Sequence, residues 1–268
     1  MSEIGKLGIV TRYEFLKHLR RKRLYVILGI TLIAELAVLI ILPLLMDGYP
    51  ENPLVMAAML TVGPGLATIG AVFFAGDAIA GEFENKTGFI LFTNPVRRTT
   101  LITGKYMASC IAVIILIVFG YAIMCISLLA IYGEIPVETA KSFGLCLLFG
   151  GSVLSVTFFF SAISKGAMGA TVITLVTIMV VFGIVESVLM MAGEPYWFLL
   201  SAGGDSVTIV FGGMELIMEG LVPSGGMGGM FPFDYEPLEI DLAAYSMVGY
   251  LVIGFLLSLW ISKRRQLA

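Results

Sequence analysis

Six long apolar runs dominate the pattern along the chain, at 24–46, 54–76, 106–131, 142–163, 168–192 and 242–261. About 20 apolar residues in helical form cross the ~30 Å hydrocarbon core of a bilayer. The runs therefore predict six transmembrane helices. The first is too long for the apolar part of a cleavable leader, and no small-residue cleavage pattern follows it. Residues 1–23 are patterned differently. Ile9, Tyr13 and Leu16 recur at helical spacing among Lys6, Arg12, Lys17 and the basic run from Arg20 to Arg23. This predicts an amphipathic helix lying in the membrane interface. A plain basic flank that sets orientation is a compatible, simpler reading.

Charge gives the runs a direction. With the N-terminus inside, the inner segments 1–23, 77–105, 164–167 and 262–268 carry 15 of the 16 Lys and Arg residues, leaving Lys141 outside. Basic residues stay on the cytoplasmic side of a membrane protein, so both termini are expected in the cytoplasm of a multi-pass plasma-membrane protein. Tyr25, Tyr106 and Trp260 fall near inner span ends. Tyr49, Tyr132, Tyr196, Trp197 and Tyr245 fall near outer ones, as interfacial aromatics do.

Composition narrows the function. Apolar residues make up 59% and charged residues 13%, against about 25% charged in soluble domains. One transmembrane domain over 1–268 fits this. The basic residues hug the spans, so nothing supports nucleic-acid binding. Cys110, Cys125 and Cys146 lie inside apolar runs and read as small buried hydrophobes.

The loop 193–241 is expected outside. It holds eight acids and no Lys or Arg. Asp205 is placed to cap a short helix running to about Glu219, and 207–211 is apolar enough to dip into the membrane without crossing it. Met214, Met218, Met227 and Met230 show no fixed ligand spacing, and His18 is the sole histidine. No metal site is predicted.

Catalytic motifs are absent. There is no H-E-x-x-H or G-x-S-x-G, and Gly104-Lys105 lacks the rest of a phosphate loop. Energy-driven work would need ATP bound by another chain. Glu35 and Glu186 are carboxylates inside predicted spans, at different depths. Such residues either face a watery path for substrate or protons, or glue helices together as hydrogen-bonded acids. Thr171, Thr174 and Thr177 share a face of the fifth span, a pattern of helix packing.

The polar stretch 76–105 is the longest interruption on the basic side. It holds Asp77, Glu82, Glu84, Lys86, Arg97, Arg98 and Lys105 around an apolar centre, Phe89-Ile90-Leu91-Phe92. The residues alone fit a docking element and an interfacial helix on lipid equally well. Thr87 is placed to cap a short helix and Pro95 to end it.

Here the chain resembles the ABC-2-type membrane subunits of ABC transporters. The features that carry the resemblance are Asp77 at the end of span two, Glu82 with Glu84, Thr87, the apolar patch, Pro95 with Arg98, and Gly104-Lys105 opening span three. Lys86 departs from the Gly usual before Thr87. The basic entry from Phe15 to Arg23 is similar to the family's interfacial helix. The resemblance implies an all-α integral membrane protein with six transmembrane helices, an N-terminal interfacial helix and a cytoplasmic coupling helix within 87–95. It implies docking on a separate ATPase subunit through Glu82, Glu84, Thr87, Phe89, Leu91, Phe92, Pro95 and Arg98. ATP and Mg would sit on that partner, with no cofactor in this chain. It further implies a second permease subunit and, usually, export. The rival expectation is a stand-alone ion- or proton-coupled carrier using Glu35 and Glu186.

Overall fold

A computed structural model describes residues 2–45, 48–84, 97–212 and 238–264. Among these the secondary structure is helical, with no strand. Helix α1 spans Glu3–Arg20, and its first turn is capped by Ser2, whose hydroxyl accepts from the Gly5 N–H. Lys22, with φ 56°, turns the chain into α2, Arg23–Leu45. Among the described residues, six helical stretches are long and apolar enough to cross a membrane: Arg23–Leu45, Pro53–Glu84, Arg98–Tyr132, Glu138–Ile163, Ala167–Ala192 and Ile240–Arg264. The chain is a multi-pass membrane protein.

Three of these differ from a plain reading of the apolar runs. The second is two helices, α3 (Pro53–Leu60) and α4 (Gly63–Ala75), broken at Thr61-Val62. Pro64 at the start of α4 has no N–H to continue the ladder, so the break is built into the sequence. A short helix α5, Ala80–Glu84, follows the turn at 76–79. The third span, α6, begins at Arg98 and runs to Tyr132, so 98–105 is part of the helix. The fifth is α8 (Ala167–Leu175), a π-helical turn Val176–Val181, and α9 (Phe182–Ala192). Helix α7 spans Glu138–Ile163, α10 Leu200–Ile209 and α11 Ile240–Arg264. Gly133 and Gly193 end α6 and α9 with φ 76° and 70°, in the left-handed region where a side chain is strained.

Helix α7 is the central post, packed against α4, α6, α10 and α11. Small residues let it do so. A Cβ on Gly254 of α11 would lie 3.0 Å from the Ser155 carbonyl carbon of α7, so the two backbones nearly touch. Hydroxyls tie the post to its neighbours. Ser152 donates to the Met247 carbonyl at 2.8 Å, and Ser142 donates to the Val207 carbonyl at 2.7 Å while meeting the Tyr121 hydroxyl. Packing of small residues and interhelical hydrogen bonds replaces the hydrophobic drive that lipid removes. Helices α2, α8, α9 and α11 keep broad apolar faces exposed, among them Ile30, Ile33, Val172, Ile184, Ile253 and Leu256. Thr171, Thr174 and Thr177 donate to carbonyls of their own helix.

Replacing Gly254 by Ala is expected to destabilise the bundle by about 1–3 kcal/mol, since neither backbone can give way. Gly249→Ala on the same helix meets open space and is expected to be neutral or slightly stabilising. Thermal unfolding in detergent would compare them; equal midpoints would refute the close crossing.

Candidate functional site

The basic end of the bundle gathers charge from four elements. Lys105 of α6 is 5% exposed, and its ammonium donates to Glu14 Oε1 of α1 and to Glu82 Oε1 of α5, both at 2.8 Å. Lys17 adds a second cation, 3.4 Å from Glu14 Oε2 and 3.8 Å from Glu82 Oε1. Beside them, Arg21 pairs with Asp77, and Arg23 donates to Asp77 at 3.2 Å and to the Phe73 carbonyl at 3.1 Å. The segment joining α1 to α2 is thereby fastened to the end of α4.

Local sequence explains the meeting. Gly104 precedes Lys105, and a Cβ there would fall 2.5 Å from Val10 Cγ1 of α1. The missing side chain lets α1 lie against α6, and the next residue supplies the cation that holds it. Gly76 does the same for α8, where a Cβ would meet Thr171 Oγ1 at 2.5 Å. The turn after Gly76 is pinned by Ser161 of α7, which accepts from the N–H groups of Ile79 and Ala80 and donates to the Gly76 carbonyl.

Electrostatics follow from burial. Burial alone would raise the Glu14 carboxyl, but Lys105 outweighs it and holds the group below its usual range. His18, on the same helix, is buried edge-on against Phe74 with ring centroids 5.1 Å apart. Burial pushes its pKa down from 6.5 to about 4, against the pull of Asp77 and Glu14. Its Nε2 lies 3.4 Å from the Ser109 hydroxyl, which donates to the Phe74 carbonyl. A cavity of about 10 Å³, room for about one water, is bounded by Glu14, His18, Asp77, Lys105 and Ser109.

The sequence-derived site residues distribute unevenly. Glu82 is spent on Lys105, and Glu84 Oε2 accepts from the Ala167 N–H at 2.7 Å, where negative charge complements the start of α8. Both acids thus tie parts of this chain to each other. Arg98 opens α6. Thr87, Phe89, Leu91, Phe92 and Pro95 lie outside the described residues. Glu35 is fully buried on α2, whereas Glu186 lies on α9 beside Asp205 of α10. Asp205 sits inside α10, whose cap position is Leu199, so it does not open a helix toward Glu219. The reason is that the chain turns helical earlier, at Leu200. Glu14 is a site residue that local sequence does not single out: α1 carries two acids, Glu3 and Glu14, and only the fold brings Glu14 to Lys105.

The model of the ABC-2 family transporter protein family matches residues 10–182. The chain belongs to the ABC-2 transporter family. Relatives include two proteins named probable ABC transporter permease protein NosY. That of Pseudomonas aeruginosa is 29% identical over 117 residues, covering 44% of this chain and 42% of the relative. That of Stutzerimonas stutzeri is 33% identical over 84 residues, covering 31% of this chain and 30% of the relative. The matches thus span less than half the length of each. Within this ABC-2 chain, every member of the charge cluster from Glu14 to Lys105 lies in the region that matches the family, while Glu186 and Asp205 lie beyond it.

Two outcomes are expected. Lys105→Met removes the closer of the two cations facing the half-buried Glu14 and Glu82 and leaves Lys17 to them, a change of about 1.5–3 kcal/mol. Hydrogen exchange should show α1 losing protection first; protection unchanged in α1 would mean that apolar packing alone holds it. For His18 the folded pKa lies below the unfolded one, so its contribution is full above pH 6.5 and is lost as pH falls towards 4. Between pH 6.5 and 5, α1 of the native protein should loosen and that of His18→Phe should not. Parallel behaviour of the two would exclude His18 as the cause.

Proposed function

We propose that the chain is the membrane-spanning permease subunit of an ATP-driven ABC-2-type transporter, an exporter that works with a separate ATPase subunit and a second permease subunit. Family membership supports the transporter reading, and the printed names of the relatives support a permease subunit. ATP and Mg belong on the ATPase. The permease contributes no chemistry of its own; it contributes a path and a mechanical connection. In this reading both termini and the 77–105 segment face the cytoplasm of a plasma-membrane protein, following the distribution of Lys and Arg.

The observation that carries the coupling role is the anchoring on both sides of 85–96. On the entering side, Glu82 and Glu84 are tied to α6 and α8. On the leaving side, the chain passes through Arg97 into α6, whose Lys105 closes the same cluster. A push on the intervening segment is therefore delivered to α1, α6 and α8 together. Phe89, Leu91 and Phe92 supply the apolar anchors for an ATPase, with Thr87 and Pro95 bounding the element. Aromatic anchors often cost 2 kcal/mol or more when truncated, a thirtyfold weakening of about that size. Arg97 and Arg98 act at longer range, where salt screens them.

The Phe89→Ala, Phe92→Ala double variant is expected to insert normally, yet lose its ATPase on purification from native membranes and lose transport. Arg97→Ala should do less at moderate salt. Retention of the ATPase by the double variant would place the patch against lipid. Single-cysteine labelling in a Cys-free background checks the orientation: Ser2 and Gln266 should resist external reagent and Ser224 should react.

A further inference from the structure

Glu35 stands apart from every charge that the coupling role uses. It is 0% exposed, and neither carboxyl oxygen has a hydrogen-bond partner among the described residues. It lies 12 positions beyond Arg23, about 18 Å along the helix at 1.5 Å per residue, and so near mid-membrane. What it faces is unusual for a span. A Cβ on Gly120 of α6 would lie 3.4 Å from Glu35 Oε1, 3.1 Å from Leu66 Cδ1 and 3.8 Å from Val62 Cγ2. The carboxyl therefore abuts bare α6 backbone at the very place where span two is broken, at Thr61-Val62.

Among the described residues, the helices around Glu35 offer no counter-charge. Helices α3 and α4 carry no titratable residue. On α6 between Lys105 and its end, the titratable groups are Tyr106, Cys110, Tyr121, Cys125 and Tyr132, and Tyr121 and Tyr106 are already bonded to Ser142 and Ser155. On α2 itself the others are Arg23 and Tyr25, at the basic end, where the charged residues of α1 also lie. Thr31, one turn away, donates to the Ile27 carbonyl. Helix gluing would give Glu35 a partner on a facing helix; among the described residues it has none. An unpaired anion in hydrocarbon is far costlier than the neutral acid.

We propose that Glu35 is a proton-binding site of the transport cycle, occupied while the α2–α6 seam is closed and emptied to water when the seam opens at the break in span two. The idea rests on the transporter reading above. In the open state the carboxylate takes H⁺ from water, giving the neutral acid that the closed seam buries. Reopening wets the acid, and the same proton returns to water. A broken helix beside a buried acid provides both the moving part and the titrating group.

The first readout uses the full chain in lipid bilayers and needs no ATPase, so it stands apart from the coupling role. Infrared difference spectra between wild type and Glu35→Gln should contain the C=O band of a protonated carboxyl, and Gly120→Ala should shift that band without removing it. A spectrum showing the carboxylate bands instead would overturn the proposal. The second readout is the pH profile of ATP hydrolysis by the assembled transporter, which should flatten in Glu35→Gln at unchanged expression. Where Glu35→Gln does not fold, Glu35→Asp serves, with a displaced profile expected. A protonated band together with superimposable pH profiles would reduce Glu35 to a packing residue and refute proton exchange.

Discussion

One buried ammonium organises the basic end of this molecule. Lys105 holds Glu14 and Glu82 at equal distance, and through them joins the amphipathic α1, the end of span two and the start of span three. Helix α1 is only moderately apolar, and α5 is five residues long. A charge buried this deeply is costly when alone and tolerable only when fully paired. The geometry is therefore demanding: if α1 lifts, Lys105 keeps one acid instead of two. That makes the cluster a better transmitter of position than an apolar contact of similar size, which would slide.

The rest of the bundle obeys a different constraint. Within the membrane, apolar area gains nothing from facing protein instead of lipid, so contact must come from close approach and hydrogen bonds. Helix α7 shows this in its serines, each bonded to a carbonyl or hydroxyl, and in the glycine that meets it from α11. The helices that lack such residues on one face, α2, α8, α9 and α11, leave that face apolar and open. Both kinds of surface belong to one design. The post is closely packed, and the outer helices leave apolar faces open.

Much of this was legible in the residues. Six spans, the basic side, and the family resemblance of 76–105 all rest on local properties: run length, charge and motif order. Glu35 stood out for the same reason, since an acid in an apolar run is costly wherever the helix turns it. Pro64 within the second run already carried the break of that span, though hydropathy alone does not separate one helix from two.

Pairing lay beyond reach. Nothing in the local sequence says that Glu82 meets Lys105 rather than a partner protein, or that Glu84 caps α8. Side chains far apart in the chain meet only through the crossing of helices, and those crossings depend on which glycines face which neighbours. Gly104 illustrates it. As a sequence letter it resembled half of a phosphate loop; in the fold it is the gap through which Val10 reaches α6. Run length and motif order depend on each residue and its immediate neighbours, so the sequence alone determined the six spans and the family. Contacts depend on distances between helices, so only the tertiary structure decided which charges work on each other and which acid was left without a partner.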